Sequence, residues 1–276
     1  MRLGYNTNGF ADHQLEDAIP ILAEIGYRSV AVTLESNLLD PPVPRGVARA
    51  VERLRPLVDC SGVGVTIETG SRFILDPRRK HQPTLISGAV EGRRKRIAFL
   101  KAAVDVAAEV GAESVSLWSG TADDNANVGE LFARLTVGLM ELLDYAEPRG
   151  VRLSFEPEPG MFIDTKVKYA QLHGQLAHSQ FGLTLDVGHI HCLGDGSSDE
   201  HIQQWSNVLW NVHIEDMRRG VHEHLMFGDG EMDFGPIFQA FREIDYSGPV
   251  HVELSRHSHH AVEVARRSFE FLRRFA

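Results

Sequence analysis

The sequence predicts a single closed (β/α)8 barrel over residues 1–276. Three observations carry that expectation. Short β-rich runs alternate with longer helix-periodic runs about eight times, as parallel βα units do. Helical runs stop at glycines, as helix C-caps do. No Gly-x-Gly-x-x-Gly turn follows an early strand, which an open doubly wound sheet would lead one to expect. The 276 residues contain no Ser- or Pro-rich linker, and one barrel of this kind often runs to about 250 residues.

In chain order, RLGYNT (residues 2–7) is the first strand candidate, and the amphipathic run LEDAIPILAEIG after it ends at Gly26. SVAVTLE (29–35) and GVGVTIET (62–69) are the second and third. The longest irregular stretch follows, Gly70 to Gly92 with DPRRKHQP inside it, and its length marks it as a lid over the barrel mouth. RIAFLKAAVDVAAEVG is the next amphipathic helix, stopping at Gly111. The remaining strands are SVSLWSG (114–120), VRLSFEPE (151–158), GLTLDVG (182–188), NVHIED (211–216) and PVHVELS (249–255).

Composition narrows the function classes. The formal net charge of -10 disfavours nucleic acid as a partner, because affinity for it rests on neutralising phosphates. Two cysteines, Cys60 and Cys192, make no disulfide framework and fit a reducing cytoplasm. The opening MRLGYNTNGF has no apolar core of a signal peptide, and Lys101 and Asp105 interrupt the most apolar helix, so neither export nor a membrane partner is expected. A homo-oligomer stays open.

In such barrels chemistry sits where strands end. Four successive strands close on Glu156 in LSFEPEPG, Asp186 in LTLDVGH, His213 in NVHIED and Glu253 in VHVELS. With the strands in register, all four side chains would point to the axis at one height. Any one strand-end acid is ordinarily a helix N-cap or a salt-bridge partner. Three carboxylates packed together cannot all stay ionised without a cation. Oxygen donors with one imidazole suit an octahedral divalent ion.

At these residues the chain resembles the xylose isomerase-like TIM barrel superfamily, which holds sugar phosphate isomerases and epimerases, inosose dehydratases and endonuclease IV. The resemblance runs from LGYNTNGF to the final helix and is most specific in DVGH, VHIED and GDGEMDF. It implies one divalent ion at Glu156, Asp186, His213 and Glu253, Mn²⁺ first, with Mg²⁺, Co²⁺ or Zn²⁺ as alternatives. It also implies that Glu156 and Glu253 form the acid/base pair on opposite sides of a small polyhydroxy substrate. The implied activity is isomerisation or epimerisation of a sugar, ketose or cyclitol through an enediolate. A dehydratase is the alternative lyase reading, and a carbohydrate-binding barrel the alternative without catalysis.

His189 matches a family histidine that contacts substrate oxygens, and Arg219, six residues beyond His213, a substrate-binding arginine. Neighbouring Arg218 could serve equally. Glu158 shares a strand face with Glu156 if the strand continues through EPEP. Trp118 offers an apolar wall, and Glu68 a sugar contact or a partner for Arg72. His222 and His224 align with an Asp and a His that hold an additional zinc in endonuclease IV. That enzyme's other histidines fall here on Thr69 or Gly70 and on Trp118 or Ser119, so the nuclease reading is disfavoured. His224 then binds substrate or orders its loop.

Overall fold

The computed structural model describes residues 1–35, 38–39 and 44–276. Its elements are, in order, β1 (Arg2–Asn6), α1 (Leu15–Ile25), β2 (Ser29–Thr33), α2 (Pro44–Ser61), β3 (Gly64–Glu68), α3 (Val90–Val110), β4 (Val115–Leu117), α4 (Val128–Ala146), β5 (Leu153–Phe155) and α5 (Lys166–Leu176). There follow β6 (Phe181–Asp186), α6 (Val187–Leu193), α7 (Ser198–Gln204), β7 (Leu209–Ile214), β8 (Asp216–Arg218), β9 (Val221–Leu225), α8 (Phe234–Glu243), β10 (Pro249–Val252) and α9 (Ala261–Leu272). The parallel strands form a closed barrel in the order β1-β10-β7-β6-β5-β4-β3-β2, the architecture read from the sequence.

Local chemistry sets the element ends. Gly26, at φ 124°, closes α1 by donating its N–H to Leu22 and Ala23 carbonyls, and Gly111, at φ 69°, does the same for α3 through Ala107. Asn127 and Thr165 cap α4 and α5 through their side-chain oxygens. β2 and β6 are buried at every residue, the pattern of strands covered on both faces.

Two departures from the sequence reading matter. The strand at 153–155 stops before Glu156, so it does not continue through EPEP. β8 and β9, an antiparallel hairpin after β7, was not foreseen. Its residues VHEHL alternate too weakly in hydrophobicity to be read as a strand.

Contacts gather the described chain into two units, Met1–Val32 with Leu54–Thr66 and Leu183–Ala276, and Thr33–Arg53 with Ile67–Gly182. The first is cored by Tyr5, which meets Phe10 and Tyr27 edge-on at 5.5 and 5.4 Å, and by a second cluster of Phe227, Phe234, Phe271 and Phe275. The second packs Phe155, Tyr169 and Phe181 together. In that unit the long loop before α3 has two halves. Pro83–Ser87 is buried and tied down by Arg96, which donates to the carbonyls of His81 and Pro83 at 2.7 and 2.8 Å; residues 77–80 are exposed. Among the described residues no helix is long and apolar enough to cross a membrane.

One irregularity positions the site. Along β6 and β7, Leu183 pairs with Leu209 but Thr184 pairs with Asn211, leaving Trp210 as the extra residue of a bulge. Without it Asp186 would face Val212. With it, Asp186 pairs with His213.

Candidate functional site

Asp186 shows how one carboxylate serves two roles. Its Oδ1 accepts the backbone N–H of His189 at 2.8 Å and caps α6, the ordinary reading of a strand-end acid. Its Oδ2 lies 3.4 Å from His189 Nε2. Asp186, His213 and Glu253 each offer a ligand atom within 4.8 Å of the others. Asp186 pairs with His213 and His213 with His251 on β10, so Glu253 stands two residues beyond that row of register partners, as the stagger of a tilted barrel allows.

Glu253 is held from both sides. Oε1 accepts from Asn8 Nδ2 at 2.8 Å, and Oε2 lies 3.0 Å from His213 Nδ1. Burial raises its proton affinity, but its pairing with His213, with His224 and His189 behind it, holds the carboxyl well below the usual range. Asn8 was missed in the sequence. Its place just past the first strand, in YNTNGF, was the available signal.

A second carboxylate was also missed. Glu215 is fully buried, its oxygens have no hydrogen-bond partner among the described residues, and His224 Nδ1 is 3.5 Å away. A Cβ on Gly188 would meet Glu215 Oε1 at 1.9 Å, which accounts for the glycine in DVGH. Asp186, Glu215, His224 and Glu253 bring ligand atoms within 4.8 Å of one another. Burial opposes the His224 cation, but Glu215, Glu253 and Asp186 outweigh it and hold the imidazole well above its usual range. Around the same point His189, His222 and His224 form a third group, with His189 and His222 Nε2 atoms 3.1 Å apart. Three carboxylates, Asp186 and Glu215 fully buried and Glu253 beside them, are a donor set that a divalent ion fits.

The other sequence candidates divide. Glu156 and Glu158, after β5, place ligand oxygens within 4.8 Å of each other although the strand has ended. Glu68 closes β3 and is buried. Trp118, after β4, is buried against the His81 ring and the Arg96 guanidinium, each 5.0 Å from its ring. Arg219 is exposed at the tip of the β8–β9 hairpin, where its N–H donates to Glu231; Arg218 donates to the Asp229 carbonyl. The GDGEMDF segment proves to be scaffolding in part. Buried Asp216 accepts from the N–H groups of Met217, Gly228 and Met232, and a Cβ on Gly230 would meet its Oδ1 at 2.2 Å.

The fold and these strand-end residues define a class, and comparison supplies it. Residues 19–275 match the family described as Xylose isomerase-like TIM barrel, and the chain belongs to that family. Over 162 residues it is 25% identical to L-ribulose-5-phosphate 3-epimerase UlaE of Salmonella paratyphi A, an alignment covering 59% of this chain and 57% of that protein. The chain thus spans less than two thirds of that relative's length. D-allulose 3-epimerase from Methylomonas sp., solved with D-allulose, superposes with a TM-score of 0.78 at 19% identity, covering 100% of this chain and 97% of that one. IolI protein with a zinc atom gives 0.77 at 19% identity, covering 100% and 99%.

Proposed function

We propose that this chain is a metal-dependent isomerase or epimerase of a small polyhydroxy ketone or aldose, with Glu156, Asp186, His213 and Glu253 holding one divalent ion. The observation that carries the reading is the convergence of Asp186, His213 and Glu253 within 4.8 Å at the ends of β6, β7 and β10. The epimerase relatives and the zinc in IolI support it. Glu156 joins the set from its place after β5 and from the family resemblance. The ion would act as a Lewis acid toward the substrate carbonyl and hydroxyl oxygens, easing loss of the neighbouring C–H proton.

The chain's own residues do the proton work. Glu253, ionised and clamped by Asn8 and His213, takes the proton from carbon. Glu156 returns one on the opposite face, which inverts the centre; return to the adjacent carbon exchanges aldose and ketose. His189 and His224 face the substrate oxygens from the rim. Glu158, Glu68, Trp118 and Arg219 are assigned to the rest of the substrate. The test is incubation of the Mn²⁺-loaded protein with a sugar and cyclitol panel in D₂O. Deuterium uptake without loss of mass supports the reading. Loss of water makes the enzyme a lyase, and no change across a broad panel removes catalysis.

A further inference from the structure

A chain of polar side chains runs through the interior of the first unit to His213, where such barrels ordinarily hold branched apolar residues. Ser29 Oγ is 3.2 Å from the Gly64 carbonyl and 2.9 Å from His251 Nε2. His251 Nδ1 is 2.7 Å from the Asn211 amide oxygen, and the Asn211 nitrogen is 3.2 Å from His213 Nε2 and 3.4 Å from Thr184 Oγ1. Ser29, Thr184, Asn211 and His251 are completely buried. The space is made for them: a Cβ on Gly4 would stand 2.3 Å from the His251 ring. Polar groups this deep cost stability unless they are paired.

With His213 and His251 neutral, the pairing has two self-consistent forms, because the two ends of an amide have the same shape and their neighbours decide which faces which. In one, the Asn211 nitrogen donates to His213 Nε2. His213 then carries its proton on Nδ1 and donates to Glu253, while His251 donates from Nδ1 to the Asn211 oxygen. In the other the amide is turned over. His213 Nε2–H and the Thr184 hydroxyl donate to the Asn211 oxygen, the Asn211 nitrogen donates to His251 Nδ1, His251 Nε2–H donates to Ser29, and Ser29 donates to Gly64. No residue gains or loses a proton; each ring moves one between its nitrogens. Only the second form leaves a lone pair on His213 Nδ1, the nitrogen 3.0 Å from Glu253 Oε2.

We infer that Asn211, backed by His251 and Ser29, is a positioning residue that sets the tautomer of His213 and thereby switches its Nδ1 between a proton donor and an ion ligand. The inference rests on the reading of His213 as a ligand. Outer partners that fix a ligating imidazole commonly change metal affinity by about 10- to 100-fold.

The test uses Zn²⁺ alone as probe. Calorimetric titration of the wild-type protein, Asn211→Leu and Asn211→Asp should show Leu weakening binding about 10- to 100-fold and Asp, which can only accept from His213, holding it within about threefold. ¹⁵N spectra of histidine-labelled wild-type protein with Zn²⁺ should show the His213 proton on Nε2, a readout that needs no variant. A Leu variant binding like wild type, an Asp variant as weak as Leu, or a proton on Nδ1 in the loaded protein would each overturn the switch. Failure of the wild-type protein to bind Zn²⁺ would instead overturn the ligand reading, and the switch with it.

Discussion

The rim and the interior beneath it bury histidines to opposite effect. His224, at the rim, is held well above the usual histidine range, and His251, in the interior, well below it. Burial disfavours the cation at both. At the rim the Glu215 carboxylate reverses the outcome, whereas His251 faces a neutral amide and a hydroxyl, with Arg2 adding to the effect of burial. Around His251 the network from Ser29 to His213 is paired donor to acceptor, but the rim leaves the Glu215 oxygens without a hydrogen bond among the described residues. A unit that pairs the groups around one buried histidine and leaves a carboxylate facing the other has concentrated electrostatic cost where charge can be used.

Breaking the rim should therefore have the largest effects. Glu253→Gln keeps an oxygen for the ion but cannot accept a proton, so turnover should fall by about 10² or more while metal stays partly bound. Glu156→Gln should match it, with exchange surviving at the face served by the other carboxylate. Asp186→Asn should instead lose activity through loss of metal. Solvent deuterium exchange and metal content, measured together on each variant, separate these outcomes. If both Gln variants exchange at near wild-type rates, the two-carboxylate mechanism is wrong.

A smaller effect is expected from Gly188→Ala. The added methyl would meet Glu215 Oε1 at 1.9 Å and the Met217 methyl at 2.7 Å, both on fully buried side chains that would have to shift. Overpacking of this kind costs about 1–3 kcal/mol, read from urea unfolding. Glu215→Ala should restore part of that loss in the double variant. Additive losses would show that Glu215 is not what confines position 188.

Much of this contrast was legible in the sequence, for identifiable reasons. Alternation of β-rich and helix-periodic runs, with stops at Gly26 and Gly111, carried the barrel, because backbone periodicity and left-handed caps are local properties. Asp186 and His213 were readable as strand-end residues. Asn8 and Glu215 were not, since what marks them is a contact: Asn8 reaches Glu253 across 245 positions of sequence. The register that sets Asp186 beside His213 was equally hidden, because it depends on a bulge at Trp210 that no residue pattern announces. Asp216 read as part of a motif, while its role lies in the loop it gathers.

The long loop offers a milder test of where order is built in. Since Arg96 fixes the carbonyls of His81 and Pro83 and the following segment is buried, protection gained on substrate binding should be confined to roughly residues 72–80. Hydrogen exchange with a verified substrate would show it. Equal protection with and without substrate would remove the lid reading.

The smallest effect concerns a third histidine, away from the rim. His81 meets the Trp118 ring at 5.0 Å, and burial, with Lys80, Arg96 and Arg72, lowers its pKa to about 4. Here no carboxylate reverses the effect of burial, so His81 should behave as His251 does. Its folded form resists protonation while the unfolded chain titrates near 6.5, so its contribution is fully present above that value and is lost as pH falls toward 4. Allowing for its partial exposure, the loss should be on the order of 1–2 kcal/mol. His81→Asn is the suitable comparison, because Asn tolerates the positive φ of 64° at this position and does not titrate. Urea unfolding of both proteins between pH 7.5 and 4 should show the wild-type advantage shrinking below about pH 6.5, with no pH dependence in the difference above it. A flat difference across the range would mean that His81 is solvated in the folded protein and keeps the proton affinity it has in the unfolded chain.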